Sequence, residues 1–152
     1  MEGLWLALEQ SAFGDLVRQS TWLYPAANVL HVLGVIGFFA TVAVMDLALL
    51  RALPGGAAKA AVARFRPFAA LLLAVIAATG LVLFTPEASA LAANPALRAK
   101  LLLVLLGLAN VAVNEAALRS AGPDSGTVRL TAGLSLLVWL GVAALGRTIA
   151  YV

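Results

Sequence analysis

Cysteine is absent from the 152-residue chain, which excludes disulfides, thiolate metal sites, iron–sulfur clusters and cysteine nucleophiles. Histidine occurs once, at His31, and charged side chains make up only 11% of the residues, against ~25% in ordinary soluble domains. HExxH, GxSxG and phosphate-loop motifs are missing, and no helix face carries paired carboxylates, so hydrolase, protease and ATPase chemistry has nothing to stand on. No catalytic residue is assigned. The apolar runs have no proline at their centres and no half-repeats of the kind that mark transporters.

What is present is hydrocarbon: 63% hydrophobic residues and a mean hydropathy of +1.03. A spanning helix needs ~20 residues, so one all-α transmembrane domain over 1–152 is expected, with a ceiling of four or five helices joined by short loops. The net charge of +3 comes from basic residues scattered among apolar runs, which read as helix-end anchors and topology signals rather than a nucleic-acid surface. Residues 1–20 lack the basic start and long apolar core of a cleaved signal peptide. Trp5, Leu8, Ala12 and Leu16 recur there at helical spacing beside Glu9, Asp15, Arg18 and Gln19, which predicts an interfacial helix interrupted at Gly14. A four-helix bundle follows, with spans at about 22–50, 66–84, 96–120 and 127–151. The second span is short enough that part of 60–65 is a candidate extension. Between the spans lie a turn at Pro54, Gly55 and Gly56, a break through TPEASALAANP, and the loop AGPDSG.

Charged or strongly polar side chains cost ~2.5 to 3.5 kcal/mol at the centre of a spanning helix, so those present need partners. At ~100° and ~1.5 Å per residue, Tyr24, Asn28 and His31 share one side of the first span, with His31 ~12 Å below the outer interface. Lys100, Gly107, Asn110 and Asn114 form one stripe on the third span. With Thr79 from the second span and Arg147 from the fourth, these residues predict an outer-half cluster of Tyr24, Asn28, His31, Thr79, Lys100, Asn110 and Arg147. In the inner half, Asp46 is near the depth of Arg51, Arg66, Arg119 and Arg129, with Asn114 and Glu115 approaching from the third span. A structural ion pair of Asp46 with Arg66 or Arg129 is expected, since intramembrane charges usually pair. Gly34, Gly37 and Gly107 are read as points of close helix packing.

The outer cluster suggests a redox site in one of two forms. In the first, His31 ligates the iron of a haem b whose propionates reach Lys100 or Arg147. Met45 lies ~21 Å along the same helix, so a sixth ligand would have to come from another subunit. In the second, a quinone head group is held by Tyr24, His31, Asn110 and Arg147. The competing reading is a non-catalytic scaffold or accessory subunit, with His31 hydrogen-bonded to an asparagine or a backbone carbonyl as interhelical glue. Four short-looped helices expose much surface to the lipid bilayer, so a homo-oligomer or a place in a larger membrane complex is expected.

Read in order, Ser20, WLYP at 22–25, Asn28, LHVLG at 30–34, Phe39, Asp46, RFRPF at 64–68, TG at 79–80, Lys100, LGLAN at 106–110, Trp139 and GRTIAY at 146–151 resemble a family of bacterial four-helix inner-membrane proteins with a domain of unknown function. The resemblance spans nearly the whole chain and implies a bundle, with no activity to transfer. A looser likeness to small cytochrome b and copper-resistance membrane subunits rests on helix number and the histidine in the first helix, and it implies a redox role.

Basic residues near helix ends favour the cytoplasm. Arg51, Lys59, Arg64, Arg66, Arg119 and Arg129 lie on one side, and Arg18, Arg98, Lys100 and Arg147 on the other, six against four. The dense first-loop cluster sets both termini on the periplasmic side. A C-terminal fusion to a reporter active only in the cytoplasm is therefore expected to stay silent; an active fusion contradicts the orientation.

Overall fold

The computed structural model describes residues 2–51 and 56–151, all helix or short connection, with no strand among them. The turn expected at Pro54 and Gly55 lies outside the described residues. Helices α1 (Glu2–Glu9) and α2 (Ala12–Gln19) precede α3 (Leu23–Leu50) and α4 (Ala57–Phe84). A 3-10 turn and the short α5 (Ala88–Ala93) then lead to α6 (Pro95–Ser120) and α7 (Gly126–Thr148). Four of these helices, α3, α4, α6 and α7, are long and apolar enough to cross a bilayer, the makeup of a multi-pass membrane protein.

Helices α3, α6 and α7 start where the sequence supplies a start signal. Ser20 Oγ accepts from the Leu23 amide at 3.0 Å, and Pro25 sits in the first turn of α3, where its missing N–H costs nothing. Asn94 Oδ1 accepts from the Ala96 and Leu97 amides at 2.9 and 3.1 Å, with Pro95 as the first residue of α6. Ser125 caps α7 through the Val128 amide at 3.2 Å. Gly56 and Gly122 take φ of 78° and 80° at the two connections, a left-handed conformation that glycine adopts without a Cβ penalty.

Helix α3 packs antiparallel on α4 and, on another side, against α7; α6 packs on α7. The α3–α4 register can be followed down the pair. His31 meets Thr79 and Gly80, Gly34 meets Ile76, and Gly37 meets Leu72. Further along, Phe38 and Val42 share a core cluster with Ala69 and Trp139, and Ala48 and Leu49 share another with Ala58, Val62, Val128 and Ala132. Helices α4 and α6 form the two flanks and approach each other without the close packing of the other pairs.

The N-terminal segment and the second span differ from expectation. Residues 2–19 form two helices rather than one, because Ser11 caps α2 through the Gly14 amide at 3.1 Å and Gly14 fits tightly at the corner. A Cβ on Gly14 would stand 2.3 Å from the Glu9 carbonyl oxygen. The pair closes over the α4–α6 connection: Trp5 meets Phe84 edge-on at 5.6 Å, Arg18 donates to the Pro86 carbonyl at 3.3 Å, and Glu9 accepts from the Ser89 amide at 3.0 Å and from its hydroxyl. The Ser89 bonds hold the Glu9 carboxyl below the usual glutamate range. Helix α4 begins at Ala57 rather than near residue 66, so Pro67 lies inside it. The run AAKAAVAR is rich in strong helix formers and carries the helix up to and through the proline, while packed neighbours let a spanning helix tolerate the lost N–H. The expected break after Phe84 contains α5, and the last span ends at Thr148 with a 3-10 turn over Ile149–Tyr151.

Helices α6 and α7 approach closely at Gly107. A Cβ on Gly107 would fall 2.9 Å from Cζ2 of Trp139, whose indole is boxed in by an edge-on contact with Phe38 at 4.7 Å. Gly107→Ala is therefore expected to cost about 1 to 3 kcal/mol through overpacking, seen as a lower melting temperature in detergent. Gly3→Ala, which meets nothing within 4 Å, is expected to be neutral.

Candidate functional site

The seven residues expected to form an outer cluster separate into three groups. His31 and Thr79 do meet, with Nδ1 and Oγ1 2.9 Å apart, and the imidazole edge lies over Gly80, where a Cβ would come within 3.3 Å of Cε1. Thr79 Oγ1 also donates to the Val75 carbonyl at 2.7 Å, the usual back-bond of a helical threonine. Lys100 extends along Gly146 of α7 and lies within electrostatic reach of His31. Tyr24, Asn28 and Arg147 are exposed instead. Arg147 stacks over the Tyr151 ring at 4.8 Å and bonds its hydroxyl, one helical turn away.

Asn110 belongs elsewhere. It is buried, and its Nδ2 donates to the Thr131 carbonyl of α7 at 2.9 Å, while Asn114 Nδ2 donates to Thr131 Oγ1 at 2.6 Å. The polar stripe on α6 thus does face the bundle interior, but it is spent on α7 in the half nearer the α3–α4 connection. Thr131 receives Asn110 at its carbonyl and Asn114 at its hydroxyl oxygen, which is free to accept because its own hydrogen goes to the Thr127 and Val128 carbonyls.

Those side chains line a cavity of about 210 Å³ between all four long helices. From α3 come Phe38, Val42, Met45, Asp46 and Leu49; from α4, Val62, Arg66, Ala69, Ala70 and Leu73. Helix α6 gives Leu108, Asn110, Val111, Asn114 and Glu115, and α7 gives Thr131, Ser135 and Trp139. Asp46 is 7% exposed and Trp139 5%. The Ser135 hydroxyl reaches the Asp46 carboxyl, yet Asp46 Oδ2 has no hydrogen-bond partner, and neither has Trp139 Nε1. Two of the lining residues, one on α3 and one on α7, therefore carry a spare acceptor and a spare donor. Buried polar groups are almost always satisfied, and each exception asks for a reason. On the flank where α4 and α6 stand apart, the exposed Ala70, Leu108 and Val111 form apolar lips.

The ion pairs around the cavity differ from the expected ones. Arg66 bonds both carboxylate oxygens of Glu115, the second at 3.3 Å, and Arg119 Nε donates to the same carboxylate at 2.7 Å one turn along α6. Asp46 takes no arginine: Arg66 is engaged across the α4–α6 flank, and Arg129 is exposed on α7. Glu115 wins because it stands at the edge of the bundle, where a guanidinium can pair and stay hydrated; reaching Asp46 would desolvate it.

Comparison with protein-family models, curated proteins and solved structures returns no match for the chain. Its chemistry is read from the residues alone. Among the described residues no three of His, Asp or Glu are grouped to hold a metal ion. What the cavity offers is a largely apolar slot whose lining includes a carboxyl oxygen and an indole N–H, both buried and without a partner. Sequence reasoning missed Ser135 and Trp139 as site residues. The helical step could have found them: Thr131, Ser135 and Trp139 recur at spacings of four on α7, one stripe facing the interior.

Proposed function

We propose that the chain is a membrane-embedded quinone-binding subunit of a redox complex, with the head group seated between α3, α4, α6 and α7 beside Asp46 rather than around His31. The observation that carries the reading is that two residues lining one cavity each hold an unpartnered polar atom, Asp46 Oδ2 and Trp139 Nε1. A quinol hydroxyl donates to the first; a quinone carbonyl accepts from the second. A simple cation would satisfy Asp46 and leave the indole N–H unpaired, and a saturated lipid tail would satisfy neither. The cavity is smaller than the ~300 to 1,000 Å³ of sites for drug-sized ligands, which suits a single ring with its isoprenoid tail led out to lipid past Ala70, Leu108 and Val111.

Charge supports a periplasmic placement of both termini in a bacterial inner membrane, which sets this cavity nearer the cytoplasmic face. The exposed apolar flanks support lipid contact all round and leave room for a partner subunit or a second copy. His31, with Nδ1 on Thr79, retains Nε2 for an axial bond to haem b, but a haem there still needs its second ligand from outside the chain. No observation favours that form over the quinone. The scaffold reading leaves both orphaned polar atoms without a purpose.

Anaerobic loading with excess quinol, purification in mild detergent, and solvent extraction with oxidation of the extract to quinone before mass analysis test the reading. Quinone is expected in near-stoichiometric amounts from the wild type and from His31→Ala, and about tenfold less from Asp46→Leu, which removes the acceptor, with a smaller loss from Trp139→Phe. Asp46→Leu replaces an unpaired buried carboxyl by an apolar group and is expected to fold. Loss that follows His31→Ala, or no quinone in the wild type, overturns the proposal.

A further inference from the structure

Arg66 and Asp46 line the same cavity, yet in this structure they are not paired. The α3–α4 register sets them level. Leu49 shares a cluster with Val62 and Val42 shares one with Ala69; Asp46 lies between the first members of these pairs and Arg66 between the second. Around them the charges are unevenly shared. Glu115 holds two arginines, Arg66 and Arg119, whereas Asp46, far more buried, holds none. Arg66 is the mobile member of the set by construction: its side chain is half exposed and long, and Glu115 keeps Arg119 if Arg66 leaves.

From this juxtaposition we infer that Arg66 exchanges between Glu115 and Asp46, and that the exchange controls occupancy of the cavity. With Arg66 on Glu115, as here, the Asp46 oxygen is free and the cavity can receive a ligand. With Arg66 turned inward, the guanidinium fills the space beside Asp46 and takes the acceptor a ligand hydroxyl would use. A bound head group and the Arg66–Asp46 pair are therefore mutually exclusive, and the ligand must be one that gains more at Asp46 than the guanidinium does after its desolvation. The inference rests on the cavity being a ligand site, but the exchange itself is a property of the empty protein.

Two readouts separate the two claims. The first is labelling of Asp46 by a hydrophobic carbodiimide in empty protein, quantified on the Asp46 peptide; an unpaired carboxyl in apolar surroundings reacts and one held in an ion pair does not. The second is affinity for a short-chain quinol analogue in nanodiscs under anaerobic, reducing conditions. Glu115→Gln takes away the outer partner of Arg66, so Asp46 labelling and quinol affinity are both expected to fall, the affinity by about tenfold. Adding Arg66→Gln to Glu115→Gln removes the competitor, and both are expected to return to or above the wild-type level. Labelling that is the same in Glu115→Gln as in wild type, or that fails to recover in the double variant, overturns the exchange whatever the quinol result. A labelling pattern as expected with no quinol binding in any variant upholds the exchange and removes the quinol as its ligand.

Discussion

A carboxyl group buried in a helix that crosses hydrocarbon is the constraint from which the rest of this bundle can be read. Burying an ionisable group without full compensation costs several kcal/mol, and among the described residues Asp46 is met by the Ser135 hydroxyl and takes no ion-pair partner. The surroundings limit that cost in ways that shape the fold. Helix α7 brings Ser135 to Asp46 and is itself fixed to α6 by Asn110 and Asn114 through Thr131. Trp139 packs onto Gly107 and Phe38 at the far end of the cavity. The two helices that do not pack against each other, α4 and α6, are joined at its rim by the Arg66–Glu115 bridge.

The polar side chains divide into spent and unspent ones. Those on α6 are spent on α7, and the His31–Thr79 bond is spent on joining α3 to α4. These are ordinary interhelical bonds of the kind that hold membrane bundles at ~0.6 kcal/mol apiece. Asp46 Oδ2 and Trp139 Nε1 remain unspent, and both residues line the cavity to which all four long helices contribute. That contrast moves attention from the histidine, the most conspicuous residue in the sequence, to an aspartate that resembled half of an ion pair.

Much of the fold was legible in the chain. Hydropathy and the breaks at TPEASALAANP and AGPDSG set the long helices, and the expected contact of His31 with Thr79 follows from helical geometry alone. Less legible was everything that depends on which faces meet. Asn110 sits at nearly the depth of His31, but azimuth assigns it to α7, and depth cannot reveal that. Arg66 was expected on Asp46 because both charges lie at one level; the structure gives it to Glu115, since edge pairing keeps a guanidinium hydrated. The second span was expected to begin near residue 66 with part of 60–65 as an extension, whereas the alanine-rich stretch from Ala57 carries α4 straight through Pro67.

The account turns on where a quinone ring would sit, and photolabelling reads that position directly. Irradiating the protein in nanodiscs with an azido-quinone and mapping the adducts by peptide mass analysis is predicted to mark α3 around residues 42–49 and α6 around 108–115, with labelling suppressed by excess unmodified quinone. Adducts centred on His31 and Thr79, or labelling spread evenly over lipid-facing residues and insensitive to competition, would contradict it.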